Sequence, residues 1–431
     1  MSERVGKGQL RGAVMLLGCA MHRRLLLAAA LTAGLTMCIG PAPQTHQMPQ
    51  ASYGGPLMLG VDVLAARNFD LLRGKRVGLI TNHTSYTRTG ERTRVVFKRA
   101  LGPMLTTLFA PEHGLNGAEK AGAHINDQRD PITGLRCYSL HGSYRKPQPF
   151  MLRNVDVLVF DVQDIGARSY TYISTMAVAM EAAAENGKEF VVLDRPNPLG
   201  GIRVEGPPLE ARWKSFVGQI PVPYVHGMTV GELAMMAGAR RMISSVPRLH
   251  VVRMQGWHRG LVWQETGLTW HRTSPNIPYP TSPAYYVTTG MLGGGANADV
   301  GIGSSNPFGV AAARGVNPSA MYAYCSRLNV PGVSFAPYSR EGFGGVKLSI
   351  HPKSNTDLTA LGALLLCELN RLSGGKVLQM SGDKLNLFHK VAGSEDLYRN
   401  VARGSVSSLV NSWQSYCTSF RSARQAYLLY P

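Results

Sequence analysis

Four short apolar runs recur along the first half of the chain, and each closes on a cluster of polar residues. Val77-Gly78-Leu79-Ile80 ends in Thr81-Asn82-His83-Thr84, and Leu105 to Phe109 ends in Pro111-Glu112-His113-Gly114. Val155 to Phe160 ends in Asp161-Val162-Gln163-Asp164, and Phe190 to Leu193 ends in Asp194-Arg195-Pro196-Asn197. Unbroken apolar runs of this length suit strands buried on both faces, the pattern of a parallel sheet. Thr175 to Glu185 is rich in Ala and Met and stops at Asn186-Gly187, which predicts a helix with a glycine stop. Alternating strands and helices predict an α/β fold with a Rossmann-like, doubly wound, mostly parallel sheet.

The middle of the chain is broken by Pro207-Pro208, Pro221-Val222-Pro223 and Ser274-Pro275-Asn276-Ile277-Pro278. Thr229-Val230-Gly231-Glu232 has capping-box spacing and predicts a helix start. A Gly-rich stretch from Gly290 to Gly309 reads as a crossing between domains. Gly344 to Ile350 then predicts a strand, and Leu358 to Leu372 a helix. The tail Tyr427-Leu428-Leu429-Tyr430 reads as a last strand or a docked end. The expected organisation is an export signal and tether over residues 1–56, a Rossmann-like domain over 57–290, and a second, smaller α/β domain over 291–431 that closes a cleft.

This pattern locates function before it names one. In open α/β sheets, ligands bind outside the carboxyl ends of the strands. All four polar clusters sit at such ends, which argues for one shared polar pocket.

Composition narrows the partners. Lys and Arg outnumber Asp and Glu by 45 to 26, a formal charge of +19, which favours anionic partners. No long basic run and no nucleic-acid module signature accompanies the excess, so nucleic acid is not expected. At the N-terminus, His22-Arg23-Arg24 precedes an apolar run from Leu25 to about Ile39. That order reads as an export signal and is short for a membrane span. Met21 immediately before it marks an alternative start. Leu35-Thr36-Met37-Cys38 loosely matches a bacterial lipobox with an atypical Met before the Cys. A periplasmic form and a lipoprotein anchored at Cys38 are both open. Residues 40–56, rich in Pro, Gln and Gly, read as a tether.

Beyond Cys19 and Cys38, the cysteines are Cys137, Cys325, Cys367 and Cys417, which allow two disulfides in three pairings. Cys367 follows Leu364-Leu365-Leu366 and reads instead as a free core thiol. Without CxxC or His/Cys metal spacing, no metal is expected. The Gly290 to Gly295 run does not match the dinucleotide fingerprint, and no cofactor is expected. No Gly-x-Ser-x-Gly elbow follows the strands, which weighs against an esterase or amidase.

The strand-end clusters also carry a family resemblance. Asn82-His83-Thr84, Phe109-Ala110-Pro111-Glu112-His113-Gly114, Asp161 to Tyr172, Leu193-Asp194-Arg195-Pro196-Asn197-Pro198 and His226-Gly227-Met228-Thr229 occur in that order. Together with Ser274 to Pro278 and the Tyr-Leu-Leu-Tyr tail, they resemble the exo-β-N-acetylmuramidases, a family once catalogued only as a domain of unknown function. The resemblance runs from about Leu59 to Tyr430. It implies an enzyme that removes terminal N-acetylmuramic acid from the non-reducing end of peptidoglycan fragments. It also implies a Rossmann-like domain, a smaller C-terminal domain and a cleft between them. The chain departs from the family's pattern in one place. Where the family carries Glu-Gly-Thr-Asn, Gly-Arg-Gly-Thr and Pro-Phe-Glu, it has Gly294-Gly295-Ala296-Asn297, Gly301-Ile302-Gly303-Ser304 and Pro307-Phe308-Gly309. A non-catalytic muropeptide or anionic-glycan binder is the alternative that this departure supports.

Glycoside cleavage needs a proton donor at the leaving oxygen and a carboxylate at the oxocarbenium-like centre. Glu112, in a tight turn with His113 and Gly114, is the expected acid, its pKa raised by an apolar pocket. Asp164 is the candidate second carboxylate, with an ion pair to Arg168 or orientation of the 2-acetamido group as competing uses. Asp161 reads as structural. His83, His113 and His226 suit sugar hydroxyls, with structural roles as the competing reading. Asn82, Gln163, Asn197, Asn276 and Asn297 are further substrate-binding candidates. Arg168 and Arg195 suit the muramyl carboxylate, unless Asp164 or Asp194 engages them. Tyr170 and Tyr172, at alternate positions, share one face of a strand-like segment and either stack on sugar or pack in the core.

Overall fold

Each of the four apolar runs is a strand, and three further strands join them. A computed structural model describes residues 55–431, so the expected export signal and Cys38 lie outside the described residues. The strands are β1 (Val77–Thr81), β2 (Leu105–Ala110), β3 (Gln128–Arg129), β4 (Arg136–Ser139), β5 (Val157–Asp161), β6 (Glu189–Leu193) and β7 (Leu249–Val252). They form one seven-stranded sheet in the order β3-β4-β2-β1-β5-β6-β7. All pairings are parallel except the antiparallel β3 against β4 at one edge.

The order reverses at the centre. The chain builds outward from β1 through β2 and β4, then returns and builds the other way from β5 to β7. The crevice between the ends of β1 and β5 is therefore the topological switch point, where such sheets bind ligands. The helices around this sheet are α1 (Gly60–Ala66), α2 (Thr93–Leu101), α3 (Thr171–Glu185) and α4 (Val230–Ala239). The predicted capping box starts α4: Thr229 Oγ1 accepts from Glu232 N, and Glu232 Oε2 accepts from Thr229 N.

Both faces of the sheet are buried, and the period-2 alternation divides the strands cleanly. Leu79, Val157, Val159, Val191 and Leu193 point to one apolar cluster with α1, Phe97, Trp257 and Tyr430. Ile80, Leu158, Phe160, Phe190 and Val192 point to the other, which runs through α3 and α4. That second cluster continues into the rest of the chain: α5 (Ser282–Gly293), β8 (Ala298–Asp299), β9 (Val310–Arg314), α6 (Pro318–Cys325), β10 (Val333–Arg340), β11 (Phe343–Ile350) and α7 (Leu358–Leu372). β10-β11-β9-β8 form a smaller, wholly antiparallel sheet. α8 (Gly382–Ala392), α9 (Asp396–Ala402) and α10 (Ser407–Arg424) complete this smaller part.

One expectation is corrected here, and the choice left open for the tail is decided. Cys137, Cys325, Cys367 and Cys417 are all free, so neither disulfide forms, and Cys367 is half-buried rather than a core residue. The tail is a docked end and not a strand. Tyr430 Oη donates to Asp194 Oδ2 at 2.6 Å and accepts from Met254 N at 2.9 Å, which pins the last residues to the end of β6.

Candidate active site

Glu112 follows β2 in a turn closed by Gly114 N–H donating to the Pro111 carbonyl. His113 and Gly114 in that turn take the left-handed conformation, with φ of 69° and 72°. The turn leaves the Glu112 carboxylate buried but well supplied with donors. Oε1 accepts from Gly122 N at 2.7 Å, and Oε2 accepts from the Thr171 hydroxyl at 2.5 Å at the start of α3. His141, two residues beyond β4, places Nε2 3.5 Å from Oε1. Burial works to raise the pKa of Glu112, but His141, Thr171, Gly122 and His113 together hold it below the usual range. The expected apolar pocket is thus a polar cradle, and the expected rise is a fall.

His141 is itself pushed down to about 4 by burial, against the attraction of Glu112. Its ring is buried, and neither nitrogen has a hydrogen-bond partner. The ring lies 5.9 Å from that of Phe216, and the Arg145 guanidinium sits 5.0 Å from the same Phe216 ring. His141, Phe216, Arg145 and Thr171 join Glu112 as candidate site residues that the strand-end pattern misses.

The switch point supplies the amides. Asn82 Oδ1 accepts from both the backbone N and the hydroxyl of Thr84, leaving Nδ2 buried without a partner. Gln163 Nε2 donates to the Asp164 and Pro196 carbonyls, leaving Oε1 buried and unpartnered. His83 Nε2 lies 2.8 Å from the Arg272 carbonyl, while Nδ1 has no partner. Burial lowers His83 to about 4, so its ring is neutral. Buried polar atoms are nearly always satisfied. Several of the exceptions lie at the ends of β1, β4 and β5, where a sugar's hydroxyl and amide groups would satisfy them. A cavity of about 120 Å³ opens beside Gln163, lined also by Thr84, Tyr86, Arg195, Trp263 and His271 among others.

Asp164 is different. Oδ2 accepts from Gly166 N at 2.7 Å, Oδ1 has no partner, and burial pushes its pKa up to about 7. It lines a cavity of only about 10 Å³ with Arg195, Asn197 and Thr229. That is room for at most one water. Arg168 is not its partner. The Arg168 guanidinium is fully buried and donates to the carbonyls of Pro207, Val222, Val391 and Ala392. It stitches the large sheet's loops to the end of α8 and is spent as a substrate ligand. Arg195 grips Asp161 through Nε at 2.6 Å and Nη2 at 2.9 Å, so Asp161 is structural as expected and Arg195 is committed to it. Asp194 instead accepts from Thr229, Gly231 and Tyr430.

Tyr170 and Tyr172 do not lie on a strand. Tyr170 caps α3 and Tyr172 is in its first turn, with ring centroids 4.9 Å apart. Both hydroxyls are buried against Thr273, one donating to its Oγ1 and one to its carbonyl, so neither face is open for sugar. His113 Nδ1 contacts the Glu119 carbonyl at 2.8 Å and braces the loop that supplies Gly122. His226 is buried and lowered to about 3, with Nδ1 accepting from Met228 N. Asn197 bridges loops, accepting from Leu199 N and donating to the Met228 carbonyl. Asn276 is half-buried in a turn next to the tyrosine-bearing Thr273 segment. Asn297 lies in the smaller part, donating to the Lys376 and Gln379 carbonyls beside a cavity of about 440 Å³ that Arg314 and Lys384 also line.

Fold and site together define an α/β protein with carboxylate, imidazole and amide groups gathered at the strand ends around the switch point of a Rossmann-like sheet. Comparison with known proteins makes that class specific. Residues 77–281 match the family described as exo-beta-N-acetylmuramidase NamZ, N-terminal, and residues 284–430 match its C-terminal counterpart. The peptidoglycan beta-N-acetylmuramidase NamZ of Bacillus subtilis (strain 168) is 37% identical over 381 residues, covering 86% of this chain and 91% of that protein. A DUF1343 family protein of Bacteroides fragilis NCTC 9343 has 39% identity and a TM-score of 0.81, over 87% of this chain and 99% of that one. A second DUF1343 protein of that organism has 25% identity and a TM-score of 0.67 over the same shares. The chain belongs to the exo-β-N-acetylmuramidase NamZ family.

Proposed function

We propose that this chain is an exo-acting glycoside hydrolase that releases terminal N-acetylmuramic acid from the non-reducing end of peptidoglycan fragments. The observation that carries this reading is the cradled Glu112 carboxylate, set among unpartnered amide and imidazole groups at the strand ends, in a chain of this family. Bond cleavage develops positive charge at the anomeric carbon, which an ionised carboxylate stabilises. Glu112 is the group placed for that role. Asp164, whose environment pushes its pKa the opposite way, is the proton-bearing carboxyl near neutral pH. Asn82, His83 and Gln163 supply free donors and acceptors to the sugar.

Peptidoglycan lies outside the cytoplasm. The basic and apolar order of residues 22–39 supports export, as a periplasmic protein or as a lipoprotein anchored at Cys38. The excess of cations suits an anionic wall.

The test is incubation with a chromogenic N-acetylmuramic acid glycoside and the matching N-acetylglucosamine glycoside. Release from the first and not the second is expected. No release from either by folded protein contradicts the reading.

A further inference from the structure

Muramic acid differs from glucosamine by a lactyl ether that ends in an ionised carboxylate. A site that selects it needs a cation with unfilled donors, because charge-assisted paired bonds are the strong way to hold a carboxylate. Two arginines at the strand ends are already engaged by protein acceptors. Arg168 Nη1 and Nη2 donate to four carbonyls, and Arg195 has its charge paired with Asp161 through Nε and Nη2, with Nη2 also on the Tyr86 carbonyl. Ile302 is apolar and stands exposed.

Arg145 is in a different condition. It follows β4 by six residues, on the same connection as His141. Its guanidinium lies over the Phe216 ring at 5.0 Å, and His141 approaches that ring at 5.9 Å while standing 3.5 Å from Glu112. Phe216 thus ties the cation to the catalytic carboxylate through one short chain of contacts. Among the described residues, no carboxylate forms a salt bridge with Arg145, and its donors hold no hydrogen bond. The charge is felt in the site: Glu112 attracts Arg145, and Arg145 helps to hold the His141 ring neutral. Its neighbour Lys146 differs, being paired with Glu181 and Glu185 on α3. Stacking on an aromatic face fixes the plane of a guanidinium while leaving its N–H edge open, which is the arrangement a planar carboxylate requires.

We infer that Arg145, its guanidinium over the Phe216 ring and within the electrostatic reach of Glu112, is the group that binds the lactyl carboxylate and so selects muramic acid over glucosamine. The inference rests on the exo-muramidase reading above, but it is testable by binding, which needs no turnover. Free N-acetylmuramic acid and N-acetylglucosamine are titrated calorimetrically into the wild-type protein, Arg145→Gln and Arg145→Lys. Arg145 is exposed, so both variants should fold, and a matching thermal melt checks that. Arg145→Gln is expected to lose on the order of 10- to 100-fold in affinity for the acidic sugar and to leave the neutral sugar unchanged. Arg145→Lys should fall between, because it keeps the charge but not the paired donors. Wild type without a preference for the acidic sugar overturns the assignment. So does an Arg145→Gln protein that keeps the preference, or one that loses both sugars equally. Failure of wild type to cleave the muramic acid glycoside, with the binding preference intact and dependent on Arg145, defeats only the hydrolase reading.

Discussion

His141 Nε2 stands 3.5 Å from Glu112 Oε1, joining the polar ends of two strands, β4 and β2, that are direct neighbours in the sheet. Burial keeps the imidazole neutral until about pH 4, so at neutral pH the pair is a carboxylate beside an uncharged ring. Gly122 and Thr171 donate hydrogen bonds to the carboxylate, and the ring's two nitrogens have no hydrogen-bond partner. Under the proposed function, this relationship makes the end of β2 the reacting site.

The His83 ring is seated against the Gly117 backbone. A Cβ at Gly117 would fall 2.3 Å from His83 Cγ, and Gly117 has a φ of +71°. Gly117→Ala is therefore expected to cost about 1–3 kcal/mol and to push the ring from its place. Chemical denaturation checks the first effect. A rise in KM measured on the surviving folded protein checks the second.

Asp164 gives a pH signature. Its folded pKa of about 7 is raised by burial, so its contribution to stability is full below the unfolded value and is lost as pH rises through 7. Asp164→Asn removes that titration. The variant's stability relative to wild type should improve by about 2–3 kcal/mol between pH 5 and pH 8. A difference between the two proteins that does not change with pH would show that Asp164 is ionised throughout.

Arg168 is expected to behave as a structural residue. Arg168→Ala leaves four buried carbonyls without donors, at a cost of about 3 kcal/mol or more. Thermal melting reads the loss. KM of the folded fraction should not move, and a selective rise in KM would restore Arg168 to the substrate site.

The C-terminal tail should matter for the same kind of reason. Tyr430→Phe removes the donor to buried Asp194, whose pKa burial raises to about 6, and the acceptor for Met254 N. A loss of about 1–3 kcal/mol is expected in urea unfolding at pH 7.5. An unchanged midpoint would mean that the tail is held by its apolar contacts alone.

The sheet was legible because its strands are buried on both faces and so are written as unbroken apolar runs. Glu112, Asn82, His83, Gln163 and Asp164 followed from that, since each is tied to a strand end by position alone. β4 was not legible. Its four residues alternate exposed, buried, half-buried and buried, without an apolar run, so His141 and Arg145 beyond it carried no positional signal. The polar alternation Cys137, Ser139, His141 is the trace that existed. Tyr170 and Tyr172 suit a strand by local preference, yet contacts with Thr273, about a hundred residues on, place them at a helix start. Arg168 was misplaced for a similar reason: its acceptors lie 39 to 224 residues away, and charge spacing within a motif cannot report them.

The central claim is that the Glu112 carboxylate carries out glycoside cleavage. The direct measurement is turnover of a chromogenic N-acetylmuramic acid glycoside by wild type and by Glu112→Gln, alongside their affinities for free N-acetylmuramic acid. The variant should lose on the order of 10²- to 10⁴-fold in kcat while binding within a few-fold of wild type. Turnover by Glu112→Gln at the wild-type rate would contradict the account.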